Sequence, residues 1–134
     1  MRGSCFEFRD DRLWRCYETR DMPRGESQSK NVLGRRVRAQ REELGWSQEK
    51  LGVLIGIDES SSRARISRYE LGVHEPAVAT ARLMADALGV SLAFLYCEDD
   101  DVAKLLHALH QLQPSQQTQC ARAFLAVLTS QVPT

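Results

Sequence analysis

Four glycines, Gly45, Gly56, Gly72 and Gly89, constrain this chain more than any other feature. Each follows a short run whose apolar residues recur at helical spacing, where glycine ends a helix in a left-handed turn. Leu33, Val37 and Leu44 precede the first, and Leu51, Leu54 and Ile55 the second, with Ser47 at an N-cap position. Ile66 and Tyr69 precede the third, in a helix expected near 62–70. Ala81, Met84, Ala87 and Leu88 precede the fourth, in a helix expected near 77–88, and Ser91 to Leu95 gives a short fifth. Helices of two or three turns do not persist alone in water, so these segments must share one core.

The pattern then continues. After the acidic turn Glu98–Asp101, residues Val102, Leu105, Leu106, Leu109 and Leu112 outline an amphipathic helix, and acids at its start suit the helix dipole. Pro114 and Ser115 mark a break, and Ala121, Phe124, Leu125 and Leu128 outline a last helix to about Ser130. No strand-like alternation and no long repeat occurs. The expected architecture is all-α, with five helices over 31–97 followed by a C-terminal helical pair over 98–134. That pair carries more apolar surface than a five-helix core needs. It either covers the core or forms a dimerisation element. Residues 1–30 mix charges and aromatics without a sustained period, although Phe6, Phe8, Leu13, Trp14 and Tyr17 allow a short helix near 8–18. The expectation there is a flexible arm ending in a linker from Met22 to Lys30.

Charge and reactive residues exclude several functions. The 134 residues hold 18 basic and 18 acidic side chains, so the net charge is zero. Basic and acidic residues number 7 and 6 over 1–30, 8 and 7 over 31–76, and 3 and 5 over 77–134. No segment is a basic tail, yet Arg63, Arg65 and Arg68 fall together in a stretch without an acid. Local charge of this kind suits one inserted helix better than a nonspecific clamp. The four cysteines form no C-x-x-C pair, and His74, His107 and His110 complete no metal pattern with them. All four are expected to be reduced, with Cys97 and Cys120 as small core residues, and His107 with His110 as a polar stripe. No apolar stretch approaches the roughly 18 residues that cross a bilayer. With no apolar leader either, a cytoplasmic protein without membrane contact is expected. H-E-x-x-H, Walker and G-x-S-x-G motifs are missing, and neither Cys16 nor Cys97 has a placeable base. The reading is therefore of a protein that is not an enzyme, with no cofactor, no metal and no small-molecule ligand.

Three fragments in series carry a resemblance. They are L-G-R-R-V-R-A-Q-R-E-E-L-G-W-S-Q-E-K-L-G-V-L-I-G from Leu33, I-S-R-Y-E-L-G-V-H-E-P from Ile66, and A-R-L-M-A-D-A-L-G-V-S-L-A-F-L from Ala81. Residues 33–95 thus resemble the helix-turn-helix domain of the Cro/CI phage repressors and Xre-like regulators. The resemblance implies a five-helix lambda-repressor-like fold that binds double-stranded DNA. Its second helix would cross the DNA backbone, and its third would enter the major groove, where base edges differ. Gln48 matches the position that touches phosphate and braces the recognition helix. Arg63, Ala64, Ser67 and Arg68 match groove-facing positions, and Arg65 is assigned to phosphate. Ser62 is read as an N-cap before a base contact. Arg41 and Glu70 match a partly buried structural salt bridge. Ile66 and Tyr69 are read as core, and Arg35, Arg36 and Arg38 as a solvated helix face. The function implied is sequence-specific transcriptional regulation, with repression by a homodimer on a palindromic operator as the leading form. The alternative is an antitoxin or other interaction module that uses the same domain with a partner protein.

One departure from the family pattern stands out. Nine residues, I-D-E-S-S-S-R-A-R, separate Gly56 from Ile66, where about five are usual. The extra residues either lengthen the turn or add one turn to the recognition helix. Because phosphate repels Asp58 and Glu59, the expectation is an insertion that bulges away from DNA.

Overall fold

The computed structural model describes residues 31–132. The expected N-terminal arm, with Cys5 and Cys16, lies outside them. Among the described residues seven helices run in order: α1 (Val32–Glu43), α2 (Gln48–Leu54), α3 (Glu59–Glu70), α4 (Val78–Leu88), α5 (Leu92–Tyr96), α6 (Asp100–His110) and α7 (Pro114–Gln131). No strand occurs among the described residues, and the fold is all-α. Gly45, Gly56, Gly72 and Gly89 all adopt positive φ, between 68° and 87°, just past the ends of α1 to α4. Side chains close most of the other ends, those of α4 and α7 excepted. Asn31 Oδ1 accepts from the Gly34 amide, Ser47 Oγ from that of Lys50, and Ser91 Oγ from that of Phe94. Asp99 Oδ1 accepts from the amides of Asp101 and Val102. Each cap contributes about 0.5–2 kcal/mol to helices too short to form alone.

The core gathers one apolar stripe from each of α1 to α6. Val37, Leu51, Ile66, Ala81, Met84 and Leu95 are fully buried, with Leu33, Ala85, Leu88, Val90, Phe94 and Ala103 around them. Tyr69 is half-buried against this cluster, as expected, whereas Leu54 points outward at 53% exposed. Ala103 brings α6 into the core, and the His107 ring lies 5.5 Å from that of Phe94. Of the C-terminal pair, α6 therefore covers the core. Helix α7 packs on α6 and buries no residue of its own. Cys97 packs at the core edge, but Cys120 sits half-exposed on α7 and is not a core residue.

Two sequence expectations are corrected by packing. Arg36 does not belong to a solvated face: its side chain is 10% exposed. Its guanidinium donates to the Cys97 carbonyl at 2.8 Å, to the Asp99 carbonyl at 3.3 Å and to Asp100 Oδ1 at 3.0 Å. It also lies 5.3 Å from the centre of the Phe94 ring, so it ties α1 to the α5–α6 junction. Arg35 and Arg38 remain on the outer face. The second correction is the start of α3, three residues earlier than expected. Asp58 rather than Ser62 is its N-cap, and the insertion is a helical turn rather than a bulge.

Candidate nucleic-acid interface

That added turn is held by a close approach between helices. Ser62 is fully buried inside α3, directly against Gly52 of α2. A Cβ on Gly52 would fall 2.5 Å from the Ser62 Cβ, so only glycine lets the helices meet here. The Ser62 hydroxyl donates to the carbonyls of Asp58, at 2.9 Å, and Ile57, at 3.1 Å. With its side chain turned inward and its proton spent on backbone, Ser62 is not a DNA-facing residue. It is removed from the candidate site.

The C-terminal half of α3 is fixed by a buried ionic network. Arg41 Nε donates to Glu70 Oε1 at 2.6 Å, and Arg41 Nη2 to Glu70 Oε2 at 3.1 Å. The Arg41 and Glu70 side chains are 10% and 2% exposed. A third guanidinium nitrogen donates to the Trp46 carbonyl at 2.7 Å, in the turn between α1 and α2. Glu70 Oε2 also accepts from Gln48 Nε2 at 2.9 Å. Charge-assisted two-pronged pairs of this kind fix orientation as well as distance. The first residue of α2 is thereby bound to the last residue of α3. The expected Arg41–Glu70 pair is present, and Gln48 braces α3 as the resemblance implied.

What this scaffold displays is an exposed α3 face beside the start of α2. Arg63, Ala64, Arg65 and Arg68 are exposed, and Ser67 is half-exposed. Gln48, Ser60, Arg63, Ala64 and Ser67 line an open hollow of about 390 Å³ between the two helices. A neighbouring hollow of about 350 Å³ is lined by Arg41, Ser47, Gln48, Glu49 and Arg63. No ion pair engages Arg63, Arg65 or Arg68 among the described residues. Of the site residues expected from sequence, Gln48, Arg63, Ala64 and Ser67 are brought together. Arg68 lies one turn further along the same helix, and neither it nor Arg65 lines the hollow. Ser60 was missed. Its spacing of four from Ala64 and seven from Ser67 would have revealed it, had α3 been started before residue 62.

The bracing and the display define a helix-turn-helix unit, with α2 as its first helix and α3 as its second. The helix-turn-helix family model matches residues 37–95, covering most of α1 to α5. Among solved structures, the chain is similar to one described as the crystal structure of transcriptional regulator BswR. The two share 36% identity at a TM-score of 0.66, over 74% of this chain and 98% of that one. No curated protein matches significantly. The chain belongs to the helix-turn-helix family, in its Cro/CI and Xre-like branch.

Proposed function

We propose that this protein is a transcriptional regulator that binds a palindromic operator as a homodimer and represses the genes behind it. The observation that carries the reading is the row of exposed arginines on α3, without an ion pair among the described residues, next to a Gln48 held by the buried Arg41–Glu70 pair. A rigid helix with free guanidinium groups is suited to the major groove, where arginine donates two bonds to guanine O6 and N7. Arg63 and Arg68 are assigned to base edges, Ala64 and Ser67 to the groove floor, and Gln48 and Arg65 to phosphate. No helix among the described residues is long and apolar enough to cross a membrane.

Dimerisation is assigned to α7. Phe124, Leu125 and Leu128 are 48%, 60% and 57% exposed and follow Ala121 at helical spacing. Arg122 is the one charged side chain in Pro114–Gln131. An almost uncharged apolar stripe on an 18-residue helix meets a copy of itself without like-charge repulsion. A single unit of this size makes too few contacts for tight binding, and a two-fold pair doubles them.

The test is sedimentation of the protein alone, joined to a reporter whose promoter carries the DNA that the protein selects. The reading requires a dimer that Leu125→Asp with Leu128→Asp converts to monomer, and transcription that falls when the protein is present. A stable monomer overturns the homodimer, and rising transcription overturns repression. Co-purification with a tight, stoichiometric small protein through α7 would instead support the antitoxin-type alternative.

A further inference from the structure

The added first turn of α3 carries a property that reaches beyond the usual positions of the recognition helix. Asp58 caps this turn, and its carboxylate oxygen Oδ2 accepts from the Ser60 amide at 3.2 Å. The same oxygen accepts a hydrogen bond from the Ser60 hydroxyl. A serine hydroxyl has one proton to give and two lone pairs to receive with. Here the proton points to the Asp58 carboxylate at the exposed start of the helix. What Ser60 presents outward is acceptor capacity alone.

Its position matters as much. Ser60 is exposed and lines the same hollow as Gln48, Arg63, Ala64 and Ser67, so it extends the candidate reading face by one turn toward the N-terminus of α3. Recognition helices meet base edges with their N-terminal residues. The turn is also rigid, since Ser62 locks it on Gly52 and the amides of Ser61 and Ser62 close on the Asp58 carbonyl. In the major groove, adenine N6 and cytosine N4 are the donors, while guanine O6 and thymine O4 only accept. An outward-facing acceptor therefore favours the amino-bearing bases. Asp58 and Glu59 beside it reinforce that sign, because negative charge attracts an amino group and repels a carbonyl oxygen.

We infer that Ser60, oriented by Asp58, is a specificity-determining residue that reads an amino-bearing base, adenine or cytosine, next to the base pair read by Arg63. This inference rests on the proposed DNA-binding role of α3.

The experiment selects duplexes from a random pool with the wild type, with Ser60→Ala and with Ser60→Gln, after circular dichroism has established that each variant folds. Alanine is a good helix former at an exposed position, so the fold is expected to persist. In the wild-type motif, one column at the edge of each half-site favours adenine or cytosine on one strand. Ser60→Ala reduces that preference about three- to tenfold, the size of one net hydrogen bond, and leaves the other columns unchanged. Ser60→Gln changes the preferred base in the same column. Motifs identical across the three proteins would overturn the inference, as would equal weakening on every sequence, which marks a phosphate contact. A wild type that enriches no motif overturns the DNA-binding reading itself, a result distinct from either.

Discussion

Gly52→Ala is a perturbation whose sign separates the close-packed α2–α3 contact from ordinary helix chemistry. On an unobstructed helix the change stabilises, because alanine exceeds glycine in helix preference by about 0.8–1.0 kcal/mol. In this structure the new Cβ meets Ser62 Cβ at 2.5 Å, Ser62 Oγ at 2.7 Å and Ser62 Cα at 2.9 Å. Carbon atoms rest at about 3.5–4.0 Å, so the helices must part by about 1 Å. Overpacking of a well-filled site costs about 1–3 kcal/mol, and the upper half applies because a backbone atom cannot rotate aside. Subtracting the helix preference leaves a net loss of about 1–2 kcal/mol, or about 4–16 °C in Tm for a domain of this size. Thermal unfolding followed by circular dichroism reads this directly. Adding Ser62→Gly to Gly52→Ala removes two of the three clashes and recovers part of the loss relative to Ser62→Gly alone. A Gly52→Ala protein as stable as the wild type, or more so, would refute the contact and with it the rigid added turn.

Four further expectations follow from the same geometry. Arg36→Ala lowers stability by about 1–3 kcal/mol by leaving the Cys97 and Asp99 carbonyls without their charged donor. Arg35→Ala stays within about 0.5 kcal/mol, and equal effects in denaturant titrations would contradict the distinction. Glu70→Ala removes the two-pronged partner of the buried Arg41 guanidinium, leaving it only the Trp46 carbonyl and the more distant Glu42, and costs about 3 kcal/mol, so an unchanged denaturant midpoint would exclude that network. His107 has its pKa lowered from the ordinary 6.5 chiefly by burial, with Glu43 opposing and His110 adding to the shift. The unfolded chain therefore takes up that proton first. The contribution of neutral His107 is intact above pH 6.5 and is lost as pH falls from there toward the lower folded value. Replacement by Phe should flatten the Tm profile over about one pH unit either side of the ordinary histidine value, and an unaltered slope would refute the assignment. Finally, Arg68→Ala should cost about 1–3 kcal/mol at one base position. Uniform loss on all DNA would mark Arg68 as a phosphate contact.

Much of the fold was legible because its punctuation is local. Glycine at φ near 70°, serine and asparagine caps, and apolar residues three or four apart are decided within a few residues of chain. Arg41, Glu70 and Gln48 were legible for another reason, since their pairing across 29 and 22 residues came from the resemblance rather than from spacing. What escaped was settled by contacts distant in sequence. Arg36 reads as one of several surface arginines until folding brings the Cys97 and Asp99 carbonyls to it, more than 60 residues away. The stretch from Asp58 to Ser62 is rich in serine, which competes with the backbone for hydrogen bonds and weakens any helical signal. Burying Ser62 against Gly52 is what turns it into helix. Once α3 begins at Glu59, Ser62 moves inward and Ser60 takes its place on the outer face.

In the proposed complex DNA docks on the start of α2 and the outer face of α3, and amide chemical-shift mapping reads that placement residue by residue. A labelled protein is titrated with a duplex enriched from a random pool and with a scrambled one, at about 0.15 M salt, where nonspecific binding is weak. Docking there gives shifts concentrated from Ser47 to Lys50 and from Glu59 to Arg68, larger with the enriched duplex. Shifts centred on α6 and α7, or the same pattern with both duplexes, would contradict it.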